Sequence, residues 1–135
     1  MRKLIIIIFS IMLSILMFGC ASNDLNTPKD LELKDEYKSD ISTNYPDNFK
    51  QLTLYLTDSY KNIENLSIED LKKYGELSTI LKEGREVSAF TKTEKLLLNK
   101  AVTVQGDLMI YSSDKKADQK VKVKEDLQKV LDLYK

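Results

Sequence analysis

Three sets of side chains in this 135-residue chain are of types that do chemistry: a single cysteine, Cys20, a Ser-x-x-Lys run at Ser113-Asp-Lys-Lys116, and 21 dispersed acidic residues. A thiolate is a nucleophile and a soft metal ligand, but a lone one has no partner for an intramolecular disulfide or a redox pair. The serine and lysine have the spacing found in penicillin-recognising enzymes, which also carry Ser-Asp-Asn and Lys-Thr-Gly. Here Ser-Asp-Asn is missing, Lys92-Thr93 is followed by Glu94, and the chain is short for that fold. The run therefore reads as part of a polar loop. The acidic residues have lysines nearby at helical spacing and read as solvated helix faces, with no spacing that singles out an acid and base couple. There is no histidine, which removes the usual general base, the usual zinc ligand and the Glu-x-x-His iron sites of helical bundles. The four glycines are far apart, so no phosphate-binding loop forms. These residues predict a non-enzymatic chain with no catalytic residue, no metal and no cofactor.

The place of Cys20 gives that cysteine its meaning. Arg2 and Lys3 make a short cationic start, Leu4 to Phe18 is an apolar run broken only by Ser10 and Ser14, and Gly19 precedes the cysteine. This is a signal-peptide layout. The run is short for a membrane span, which takes roughly 20 apolar residues, and polar residues begin at Ser22. Met17-Phe18-Gly19-Cys20 resembles the lipobox of bacterial lipoprotein precursors. The resemblance covers residues 1–20 and departs from the commonest form at Met17 and Phe18. It implies cleavage between Gly19 and Cys20 and transfer of a diacylglyceryl group, with acyl chains such as palmitate, to the Cys20 thiol. Two acyl chains anchor stably where one holds only marginally, at about 0.8 kcal/mol per buried CH2. The implied address is the extracytoplasmic face of the cell membrane.

Removing residues 1–19 takes away Arg2 and Lys3 and no acid, so 21 basic residues become 19 against 21 acidic ones. A nearly balanced chain lacks the basic stripe that nucleic acid requires, and no nucleic-acid partner is expected. With Cys20 used for the anchor, stability must come from a packed core. Three segments are expected: a signal peptide (1–19), a lipidated cysteine with a polar flexible tether (20–45), and a helical domain (46–135).

Within that domain, Pro46 marks the start of a first helix. Phe49, Leu52, Leu56, Tyr60 and Ile63 recur at spacings of three and four and outweigh the rival strand alternation of residues 51–57. Ser67 and Asp70 form a variant capping box, with Leu66 and Leu71 as its hydrophobic staple. The helix they open carries Ile68, Leu71, Tyr74, Leu77, Ile80 and Leu81 and stops at Gly84. Gly75 inside it implies close packing or a bend. A second box, Thr91 to Glu94, opens a central helix with one stripe through Leu97, Ala101, Val104, Leu108 and Tyr111 and another through Leu98, Val102 and Met109. Residues 112–118 read as a loop before a last helix carrying Val123, Leu127, Val130, Leu131 and Tyr134. The expected fold is all-α, a small antiparallel bundle of about four helices. The alternative is α+β, with a hairpin near 101–112 built on Val102, Val104 and Gly106.

The leading functional expectation is a membrane-anchored, extracytoplasmic interaction module that binds another envelope protein. Small lipoproteins of similar layout serve surface roles, including exclusion of phage or conjugative machinery. A small ligand-binding or hydrolytic envelope lipoprotein is the second reading, and it requires a pocket with convergent polar groups. The third is a precursor whose fragment Ile15 to Gly19 resembles lipoprotein-derived peptide pheromones. Tyr55, off the first apolar stripe, is the candidate surface tyrosine; Tyr60, Tyr74, Tyr111 and Tyr134 are expected at core edges with their hydroxyls in water.

Overall fold

A computed structural model of the chain describes residues 24–135. The signal peptide 1–19, the pheromone-like fragment, Gly19 and Cys20 lie outside the described residues. Four α-helices and several short 3-10 turns make up the described part, and no strand longer than one bridge occurs in it. The expected all-α bundle is the fold.

Helix α1 spans Tyr45–Lys61. Pro46 sits in its first turn, where a missing N–H has no helical partner to lose, and Asp47 faces the positive end of the helix dipole. Phe49, Leu52, Leu56 and Tyr60 are buried, and Ile63 extends the stripe in a 3-10 turn, Ile63–Asn65. A strand over 51–57 would place Leu52, Leu54 and Leu56 on one face; the helix instead buries the outer two and leaves Leu54 43% exposed. Thr53 and Thr57 are also buried, and their hydroxyls donate to the carbonyls of Phe49 and Thr53 at 2.9 and 2.8 Å. That local bond satisfies a polar group on an apolar face.

The Ser67 and Asp70 box is formed. Ser67 N–H and Oγ donate to Asp70 Oδ2 at 2.9 and 2.6 Å, and Asp70 N–H donates back to Ser67 Oγ at 3.2 Å. It opens a 3-10 turn, Asp70–Lys72, that runs into α2, Lys73–Lys82. Leu71, Leu77 and Leu81 are buried, whereas Ile68 and Ile80 flank the stripe and stay exposed. Glu83 and then Gly84 take left-handed conformations, with φ 52° and 73°, so the helix ends one residue earlier than glycine alone predicts. Close packing at Gly75 is not found: a Cβ there meets nothing within 4 Å. Gly75→Ala is therefore expected to stabilise the fold by about 0.5 to 1 kcal/mol, since alanine loses less backbone freedom in a helix. Urea unfolding checks this; a destabilised variant would mean that the site is strained.

Helix α3, Lys92–Asp114, starts at a complete capping box in which Thr91 Oγ1 accepts from Glu94 N–H and Glu94 accepts from Thr91 N–H. It runs unbroken through 101–112, so the hairpin alternative is overturned. Ala101, Val104, Leu108 and Tyr111 bury one continuous helical face. That packing overrides the strand preference of Val102 and Val104 and the cost of about 1 kcal/mol at Gly106. The expected second stripe holds only at Leu98, while Val102 and Met109 are half-exposed.

The loop read at 112–118 shrinks to Lys115 and Lys116, because Ser112 to Asp114 complete α3 and α4 spans Ala117–Leu131. So short a connection makes α3 and α4 antiparallel neighbours. Lys115 adopts φ 52°, and its Nζ donates to the carbonyls of Ile63, Glu64 and Leu66 at 3.2 to 3.3 Å. Those bonds offset the left-handed conformation of a residue with a side chain and close the ends of the turn after α1. On α4, Lys129 donates to Asp126 at 2.5 Å.

The polar segment before α1 does not stand clear of the bundle. Leu31 and Leu33 are buried, Leu25, Tyr37 and Ile41 pack partly against the core, and Leu33 forms an antiparallel bridge with Tyr134. Its composition is that of a tether, yet two leucines at the right distance from the C-terminal turn suffice to dock it. At the centre, Phe49 stacks between Tyr45 and Tyr134, with ring centroids 6.3 and 6.2 Å apart, and Phe90 meets Tyr45 edge-on at 5.9 Å.

Candidate functional site

The densest polar cluster lies where the segment before α1, the end of α2 and the start of α3 meet. Glu94 is fully buried, yet four donors converge on its carboxylate. Arg85 Nη1 and Nη2 each donate at 2.9 Å, and the N–H groups of Ser42 and Thr91 donate at 2.9 and 3.0 Å. Tyr45 donates its hydroxyl to the Glu94 carbonyl at 2.7 Å, and Arg85 lies 4.8 Å over the Phe90 ring. Burial pushes the Glu94 carboxyl up, but the Arg85 fork and the two backbone donors prevail and hold it at about 2. A carboxylate with its lone pairs filled and so low a pKa does not take up a proton near neutrality. The cluster is shaped to fasten three segments together, and its chemistry is that of a buried tie.

Two further clusters, more open to solvent, also join separate elements. Lys122 Nζ reaches Asp107 Oδ1 and Oδ2 at 2.8 and 2.6 Å and Asp126 Oδ2 at 2.8 Å, tying α3 to α4. Burial raises Asp126, but Lys122 and Lys129 outweigh it and hold the carboxyl far below the usual range. Glu64 bonds Lys120 and accepts from the Tyr111 hydroxyl at 2.8 Å, and these contacts lower its pKa. Among the described residues no group of three or more acidic, histidine or cysteine side chains is placed to hold a metal. No helix among them is long and apolar enough to cross a membrane.

The surface carries two features suited to binding. A groove of about 680 Å³ runs between α1 and the segment 62–77, lined by Leu54, Tyr55, Asp58, Asn62, Asn65 and Lys73 among others. Tyr55 donates to the Asp70 carbonyl at 3.1 Å, and burial raises its phenol. Behind it, buried Gln105 donates to the Leu71 carbonyl at 3.3 Å while its Oε1 has no partner among the described residues. The second feature is apolar. Ile68, Met109 and Ile110 line a depression of about 390 Å³ with Ser113 and Asp114 at its edge, and exposed Val102 lies two turns before Met109 on the same side of α3. The four apolar side chains are 49 to 63% exposed.

The residues singled out from the sequence fall in different places. Ser113 and Lys116 are not brought together as a catalytic pair: the serine hydroxyl donates to the Met109 carbonyl at 3.2 Å and the lysine bonds Asp114 at 3.2 Å. Tyr55 lines the groove, as a surface tyrosine should. The expectation of hydroxyls in water is corrected at three tyrosines. Tyr134 shares a 2.8 Å bond with Thr53, Tyr111 bonds Glu64, and the Tyr74 hydroxyl is buried with no partner among the described residues. Sequence reasoning missed the tie between Arg85 and Glu94. Its only local signal was a glutamate already assigned to a capping box. Comparison with protein-family models, with curated proteins and with solved structures finds no match.

Proposed function

We propose that the protein is an extracytoplasmic lipoprotein, anchored through Cys20, whose helical domain acts without catalysis by binding another envelope protein. The observation that carries the reading is the apolar depression formed by Ile68, Met109 and Ile110. Half-exposed apolar side chains gathered on one face of a small domain are the surface type that protein partners cover. The three charged clusters support the same reading, because each spends its charges on joining elements. A surface role such as exclusion of incoming phage or conjugative machinery lies within this reading.

The test uses whole cells. A photocrosslinking residue at position 109 is expected to give one discrete adduct with an envelope protein, weakened by Ile68→Asp, a change in the same depression, at unchanged stability. Cys20→Ala is expected to release the protein from the membrane fraction and to abolish the adduct. The same adducts from a crosslinker at exposed Glu125 would sink the interaction reading.

A second reading, binding of a small polar ligand, is favoured by the groove beside Tyr55. Its amide, carboxylate, hydroxyl and ammonium groups converge on one concavity. Ligand-dependent quenching of tyrosine fluorescence, lost in Tyr55→Phe, would favour it over the first.

A further inference from the structure

The chain's entry into the bundle is stitched to α4 and to the C-terminus. Asn26 N–H donates to Gln128 Oε1 at 3.0 Å, and Gln128 Nε2 donates back to the Asn26 carbonyl at 3.2 Å. Farther on, Lys34 N–H donates to the Leu133 carbonyl at 3.0 Å and Lys135 N–H to the Glu32 carbonyl at 2.9 Å, over the buried Leu31 and Leu33. Asp24 and Asn26 border a shallow groove of about 560 Å³ along the outer face of α4, beside Val121 and Lys129.

Cys20 stands four residues before Asp24. Even fully extended, that length of chain spans no more than about 14 Å. A domain of about 110 residues has a radius of gyration of roughly 13 Å and is therefore about twice the leash across. A body so tethered cannot turn its far side to the bilayer.

We infer that the outer face of α4 around Val121 and Lys129 is the membrane-facing side of the anchored protein and rests against lipid headgroups. The clasp between Asn26 and Gln128 sets this orientation, and the inference rests on lipidation of Cys20. Val121, 53% exposed, offers apolar contact, and a lysine stem covers such surface while its ammonium reaches water or phosphate. The groove also holds Asp24, Glu125 and Asp132 against Lys124 and Lys129, so no net positive charge draws this face to anionic lipid. The seating is mechanical and independent of anionic lipid content. Because α2 packs mainly on α1, the groove beside Tyr55 stays clear of the bilayer.

Lipidation blocks the Cys20 thiol, so a second cysteine is the only one open to labelling. Full-length Val121→Cys and Ile80→Cys proteins, processed in cells and labelled with bimane, are placed in phosphatidylcholine vesicles carrying a nitroxide headgroup quencher, with and without phosphatidylglycerol. Quenching is expected to be stronger at 121 than at 80, with the same difference in both lipids. It is expected to be lost when a Gly-Ser linker of about 15 residues, with a reach of up to ~50 Å, is inserted between Cys20 and Asp24. Equal quenching at the two positions in vesicle-bound protein, or a difference that survives the insertion, overturns the orientation alone. A Cys20 thiol that stays reactive, with no flotation on vesicles, overturns the anchor and the orientation with it.

Discussion

Arg85→Ala is expected to cost the fold about 3 kcal/mol and to move its acid unfolding to higher pH. Glu94 is fully buried, and removing one partner of a buried ion pair strands the other charge, at roughly 3 to 5 kcal/mol. The lower end applies because the Arg85 side chain is 28% exposed and Glu94 keeps the N–H donors of Ser42 and Thr91. In the parent protein the Glu94 carboxyl lies at about 2 against its ordinary 4.5. Its contribution is therefore full above pH 4.5 and disappears as pH falls toward 2, because the unfolded chain takes up the proton first. Without the guanidinium the folded carboxyl rises, less stability is linked to its ionisation, and the loss is complete at a higher pH. Urea unfolding at pH 7 and an acid titration followed by circular dichroism measure both effects. Arg85→Lys should fall between, since an ammonium cannot supply the two-pronged bond. Unchanged stability in Arg85→Ala would show that the tie is dispensable.

Phe49→Ala is expected to cost about 3 to 5 kcal/mol, the range for emptying a buried aromatic site. Phe49 is fully buried and its ring is stacked by Tyr45 on one side and Tyr134 on the other. Its loss therefore loosens the start of α1 and the C-terminal turn together. Phe49→Leu keeps most of the volume and should cost about 1.5 kcal/mol or less. A thermal midpoint lowered by roughly 10 to 20 °C in the alanine variant and only slightly in the leucine variant would bear this out. Equal losses would mean that the position is not tightly packed. Total stabilities of 5 to 15 kcal/mol leave both variants room to fold.

What was legible beforehand was local. The boxes at Ser67 and Thr91 were readable because each bond spans three residues, and the stripe from Phe49 to Ile63 because helical spacing places those side chains on one face. The errors also have local explanations. Val102, Val104 and Gly106 carry strand and turn signals, yet Ala101, Leu108 and Tyr111 supply a buried face that only the partner helix makes worth keeping. Ile68 and Ile80 are as apolar as Leu71 and Leu77. Exposure separated them because α2 packs mainly on α1. For the candidate sites, Tyr55 was readable as a surface residue, whereas the walls of its groove come from residues spread between Gln51 and Leu77.

The sequence by itself determined the boundaries set by Pro46 and Thr91 and the apolar stripe from Phe49 to Ile63, since each follows from contacts within one or two turns of chain, whereas packing decided that 101–112 stays helical. Only the tertiary structure decided that Arg85 closes on Glu94 with Ser42, that Leu33 pairs with Tyr134, and that Ile68 joins Met109 and Ile110 in one depression. These juxtapositions bring together residues from 9 to 101 positions apart. A local pattern carries no record of them, because the free energy that selects them appears only when the helices pack.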